Sequence, residues 1–382
     1  MRFPILLVAG LVCIALGVTG SEWSRRHPRE KAAPVVVPPA PALSAEELSA
    51  HEPQPDAPAD DEGLRTSNTE LAALGKDAQL PAGLGVVGAQ AVLTGQLFGR
   101  SALAHGNAFF LVVEEGKKGT TQTLLRVTAT EPPRALAVHR PNVGTLAAGG
   151  SRLYWSEGGA IFSTDATSGG AAKGLIHFPN ARLTSLGVSG DVLVASLVPK
   201  ALDPFSSDAV GAVVSVALTG GKVKVLARGL ARPVDARTDG TRAVWISGYP
   251  ADLWGMDLTG SEPQLLSTRA DGPVLLSEGS VTFRHPVVGS PELARIPVGG
   301  GQSVPLAKGE IDRVTQQGSD VWYSVGPVVS RVDGANQTVV ARLPDQVLEL
   351  GATDDALYVV TRQAAGGHLL LRLPRTTPEG SR

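Results

Sequence analysis

Cysteine is nearly absent from this chain of 382 residues: the single one, Cys13, lies in an apolar run near the N-terminus. The rest of the chain can form no intrachain disulfide, no thiolate metal cluster and no cysteine nucleophile. An excess of either charge is also missing. There are 34 basic and 36 acidic residues, a formal net charge of −2. That balance excludes a strongly basic nucleic-acid binder and a strongly acidic mimic. The usual catalytic signatures are lacking too. There is no Gly-x-Ser-x-Gly elbow, His-Glu-x-x-His pair, helix-opening Gly-x-Gly-x-x-Gly or P-loop. No Asp-rich loop has calcium spacing. No cofactor, metal or catalytic residue is assigned on this reading, and whether the chain is an enzyme stays open.

Hydrophobic residues make up 43% of the chain, enough for a large core. With 45 Gly and 28 Pro, many turns are expected rather than long helices. Sparse Lys, with abundant Arg, Ala, Gly and Pro, suggests a GC-rich bacterial genome.

Residues 1–20 read as a signal peptide or a short membrane anchor. Met1 and Arg2 precede an 18-residue apolar stretch, Phe3 to Gly20. Val18 and Gly20 are small enough for a cleavage site after Gly20, whereas Val12 fits a lipobox before Cys13 poorly. Arg25, Arg26, Arg29 and Lys31 follow the run, which by the positive-inside rule opposes export. The expected location is nevertheless the cell envelope or periplasm, with a membrane contact if the segment is uncleaved. Residues 21–84 are expected to be a disordered spacer. Seven prolines fall from Pro34 to Pro58, and such a tract buries too little to fold.

From about residue 85 the chain repeats. The second-strand centres are Phe109-Phe110, Leu153-Tyr154, Val192-Leu193, Val244-Trp245, Val281-Phe283, Val321-Trp322 and Leu357-Tyr358, spaced by about 36 to 52 residues. Third strands follow, among them Leu124 to Val127, Val213 to Val216, Leu253 to Met256 and Leu370 to Leu373. Apolar runs of this length between turns are strands, and no amphipathic helix is evident in this region. A period near 40 with four strands is that of a β-propeller blade. The expected fold is therefore all-β, a seven-bladed β-propeller over residues 85–375, with six blades as the alternative and residues 376–382 as a tail. A linear stack would need end caps, whereas a propeller protects its edges by closing on itself. The seventh copy lacks a fourth strand, and Gln90 to Leu93 stands spare ahead of the first copy. That strand can supply the missing edge.

Leu153-Tyr154-Trp155-Ser156, with Ile161 and Asp165 after it, and Leu253 to Gly260 carry a resemblance to known propellers. The repeat resembles the low-density-lipoprotein-receptor-like (YWTD) and TolB-like propellers over roughly residues 85–375. Ser156 stands where the family has Thr, and Glu157 where it has Asp. The resemblance implies a protein- or ligand-binding platform without naming a partner.

Turns joining second to third strands share one face with the links between blades, and binding is expected there. The longest such loop, Val198 to Gly211, holds Asp203, Phe205 and Asp208, with Phe205 as a candidate partner contact. The same face is expected to carry Lys117, Lys118, His139, Arg140, His177, Tyr249, Arg284 and His285. The partner class is a protein or a small ligand. Trp155, Trp245 and Trp322 recur at second-strand positions and are expected between blades, not on the face. Asp235 and Asp239 are expected to be solvated turn carboxylates.

Overall fold

The computed structural model describes Leu43 and residues 61–82, 84–95, 101–115, 121–203, 206, 209–219, 222–286, 291–334, 336–363 and 366–375. All of them lie in one compact unit, Ala40–Arg382. The expected leader at 1–20 and the tail at 376–382 lie outside the described residues, as do Lys117, Lys118, Phe205 and Asp208.

Seven four-stranded antiparallel sheets form the core. Blades 1 to 6 each use four consecutive strands, and their innermost strands are Ala102–His105, Leu146–Gly149, Ala181–Ser189, Val234–Thr238, Asp271–Ser277 and Arg313–Gln317. Blade 7 begins with Val347–Ala352, and its outermost strand is Gln90–Gly95, from the opposite end of the fold. Each innermost strand contacts the next, and the seventh contacts the first, so the ring is closed. The protein is a seven-bladed β-propeller. The seal is the one expected: Gln90 pairs with Arg372 and Leu93 with Leu370.

Second strands are buried on both sides because each is sandwiched between neighbouring blades; Arg152–Glu157 exposes only its ends. Trp155, Trp245 and Trp322 are wholly buried. Trp155 packs with Phe110 and Leu124 between blades 1 and 2. Trp245 packs with Val194 and Val213 between blades 3 and 4, and Trp322 with Leu357 and Leu371 between blades 6 and 7. The two departures from the family pattern have structural partners. Ser156 Oγ accepts from the Thr145 amide at 3.1 Å, and Glu157 Oε1 accepts from Trp155 Nε1 at 2.7 Å.

The expected spacer over 21–84 needs correction where it is described. Asp61–Lys76 is an α-helix, α1, and Leu43 is buried in the core cluster of blades 2 and 3. Helix α1 lies on the outermost strands of blades 1 and 7. Leu64, Leu71 and Leu74 recur at helical spacing and pack into the seam between those blades. Asn68 Oδ1 accepts from the edge amide of Ala135 at 2.7 Å. The helix thus covers strand edges that would otherwise lie open. Among the described residues no helix is long and apolar enough to cross a membrane.

Candidate functional site

Because successive strands alternate in direction, the second-to-third turns and the links between blades share one face, called here the loop face. On it lie two adjoining clefts. One, of about 500 Å³, is lined by Arg232, Tyr249, Pro250 and Arg269 and lies between blades 4 and 5. The other, of about 260 Å³, is lined by Arg284, His285, Glu292 and Asp312 and lies between blades 5 and 6. Asp271 and Pro286 line both.

The walls are set by links running into the inner strands. Arg232 and Arg269 each stand two residues before an inner strand, with φ of 48° and 56°; Asp235 has φ of 51°. Such left-handed backbone costs a non-glycine residue about 1–3 kcal/mol and persists only where the surroundings hold it. Hydrogen bonds supply that hold. The Arg232 amide donates to the Ala209 carbonyl at 2.7 Å, and the Arg269 amide donates to Asp252 Oδ1 at 3.0 Å.

A charged network ties the clefts to the inner strands. Arg284 pairs with Asp271 at 2.9 Å and donates to the Ile311 carbonyl at 3.0 Å. His285 Nδ1 lies 3.3 Å from Glu292 Oε1. Asp312 Oδ2 accepts from the Gly326 amide at 2.6 Å. Arg237 lies 3.6 Å from Asp235. Asp235 packs directly over Gly272, where no Cβ would fit. Burial raises the Asp235 pKa, Arg237 and Arg284 oppose the rise, and Asp271 adds to it. The expectation of two solvated turn carboxylates is therefore corrected for Asp235. Asp239 does sit in a turn, accepting from the Thr241 and Arg242 amides at 2.8 Å each.

The structure gathers Tyr249, Arg284 and His285 around the paired clefts. It does not bring His139, Arg140 or His177 to them. Those three stand at the ends of the outermost strands of blades 1 and 2, with two blades between either of them and blade 5. Arg140 is held there: Nε donates to Glu157 Oε1 at 2.6 Å, and the guanidinium lies over the Trp155 and Phe162 rings. Asp203 is exposed in the second-to-third turn of blade 3. Sequence reasoning missed Arg232, Arg269 and Asp271. Their signal was positional, since both arginines precede an inner strand by the same offset. Among the described residues, no group of three or more His, Cys, Asp or Glu side chains could hold a metal ion.

No protein-family model matches the chain, and no curated protein matches it in sequence. Solved structures do match in fold. An oligogalacturonate lyase in complex with manganese is 13% identical, with a TM-score of 0.61, over 78% of this chain and 96% of that one. A puromycin hydrolase, an S511A mutant complexed with PGG, is 16% identical, with a TM-score of 0.57, over 72% of this chain. This chain spans only 51% of that hydrolase. TolB from Acinetobacter baumannii is 14% identical, with a TM-score of 0.46, over 69% of this chain and 63% of that one. At these identities the likeness is one of fold alone.

Proposed function

We propose that this chain is a non-enzymatic binding module of a bacterial cell envelope, presenting the loop face of its propeller to a protein or small-molecule partner. The observation that carries the reading is Tyr249, which is 79% exposed beside the two adjoining clefts. Burying that ring would remove a large apolar surface from water, and exposed tyrosines are enriched among residues that anchor partners. The apolar N-terminal run and the proline-rich stretch after it support the envelope location.

Helix α1 leaves the loop face open. Helix α1 begins beside Arg134 and Ser168, near third-to-fourth strand turns of blades 1 and 2. Those turns lie on the face opposite the clefts. Chemical cross-linking of the full-length protein in its native cell should give a partner adduct. Tyr249→Asp should abolish that adduct. Val339→Asp, on the outermost strand of blade 6, should leave it. An adduct unaffected by Tyr249→Asp, or lost equally in both variants, sinks the reading.

A second reading, an envelope enzyme with its active site on this face, rests on Asp235 and Asp271. A carboxyl pushed toward its protonated form, beside a carboxylate paired with Arg284, is an arrangement that suits general acid catalysis. This reading predicts turnover, by the wild-type protein, of some member of a panel of nitrophenyl esters and glycosides, abolished by Asp235→Asn. A panel left wholly untouched by the wild type removes it.

A further inference from the structure

We propose that the cleft between blades 4 and 5 is a carboxylate-binding pocket: Arg232 and Arg269 hold the carboxylate, and Tyr249, Pro250 and Pro286 hold the apolar or aromatic body that bears it. This deepens the docking-face reading and rests on it.

Four observations converge on that chemistry. The first is Arg232. It is half-buried, its Nε is shut off from solvent without an acceptor, and no ion pair of its side chain is found among the described residues. One buried N–H without an acceptor is unfavourable, and the side chain lines the cleft with its charge unpaired, where it would attract an arriving anion. The second is Arg269, which is exposed and enters the same cleft. Asp252 engages its backbone amide, not its guanidinium.

The third observation is that neighbouring carboxylates are already engaged. Asp271 pairs with Arg284 and Asp235 with Arg237. The cleft therefore presents two guanidinium groups that form no ion pair among the described residues, Asp252 engaging Arg269 through its backbone amide. Planar guanidinium groups suit a carboxylate, which can accept two parallel N–H donors. The fourth is the apolar wall. Tyr249 and two prolines border the arginines, and a bare inorganic anion would make no use of them. An aryl or alkyl carboxylate fills both halves. Its source is either a small organic acid or the C-terminus of a polypeptide.

The test is ligand-observed fluorine NMR with N-trifluoroacetyl-phenylalanine titrated against the full-length protein. The primary amide of the same compound should bind about tenfold more weakly or worse. Arg232→Gln and Arg269→Gln should each weaken acid binding about tenfold, the scale of one lost charge-assisted hydrogen bond. Equal binding of acid and amide overturns the proposal, and that comparison needs no variant to fold. Unchanged affinity in both glutamine variants overturns it too. So does inorganic phosphate binding as tightly as the acid, because the apolar wall would then contribute nothing.

N-acetyl-Ala-Ala-Phe with a free carboxylate separates the two sources. Tenfold tighter binding than the single amino acid points to a polypeptide terminus, and equal binding to a small acid; either upholds the pocket. If acid and amide bind alike while Tyr249→Asp still abolishes the cellular adduct, the pocket falls and the docking face stands. If the adduct also survives Tyr249→Asp, both fall.

Discussion

Phe109 of blade 1 and Tyr358 of blade 7 stack with ring centroids 5.2 Å apart and planes 3° from parallel. The pair closes the ring from within, at the seam where the two ends of the fold meet. Around it lie Leu93 from the sealing strand and Leu71 from α1. One apolar cluster therefore joins the first blade, the last blade, the strand that completes it and the helix that covers both.

Gly351 tests how tightly that seam is packed. A Cβ there would fall on the Phe109 ring and lie 3.3 Å from Ala104 Cβ. The ring cannot retreat, because Tyr358 stacks against it and both are wholly buried. Gly351→Ala should destabilise the protein by about 1–3 kcal/mol, the usual range for overpacking. Urea unfolding measures it, and a neutral effect would mean that the seam is looser than described.

The sealing strand makes a separate prediction. Leu93 is fully buried and pairs with Leu370, so Leu93→Ala should cost about 2–5 kcal/mol. A loss below about 1 kcal/mol would look like a surface substitution and would contradict the closure.

Glu349 makes stability depend on pH. Burial raises its pKa from 4.5 to about 7, with Arg313 partly opposing the rise. Between those values the folded protein holds a proton that the unfolded chain has released. Stability from this group is therefore full below about pH 4.5 and falls as pH rises through about 7. Glu349→Gln should flatten that slope and stabilise the protein at pH 8 by on the order of 1–3 kcal/mol. Thermal unfolding at pH 5 and pH 8 reads the difference; parallel shifts at both would refute the assignment.

Arg140 is expected to act on stability. Its ion pair with Glu157 is largely buried, with side chains 12% and 9% exposed. Removing one partner leaves the other charge uncompensated, so Arg140→Gln should cost about 3–5 kcal/mol. Partner cross-linking by the protein that remains folded should be unchanged. Unaltered stability with lost cross-linking would return Arg140 to the binding surface.

Much of the ring was legible because its signals are local. The second-strand centres recur with a blade period, and a missing fourth strand at one end matched a spare strand at the other. Helix α1 was harder to see. Leu64, Leu71 and Leu74 form a stripe diluted by Arg65, Asn68 and Glu70, and that stripe has a surface to bury against only after blades 1 and 7 meet. The site divides in the same way. Tyr249, Arg284 and His285 stood out by residue type and loop position. Arg232 and Arg269 lie 37 residues apart in different links, and their convergence depends on how adjacent blades are angled. Asp235 looked like a turn carboxylate because Gly272, which makes room for it, belongs to the next blade.

Docking on the loop face is tested most directly by placing a photo-activatable cross-linking amino acid at position 249 of the full-length protein in its native cell. Position 265 is the control, since Leu265 is 44% exposed on the outermost strand of the same blade. Gel shift and intact mass would detect protein and small-molecule adducts respectively. Binding on this face predicts a discrete adduct from 249 and none from 265. The same adduct from both positions, or none from either, would contradict it.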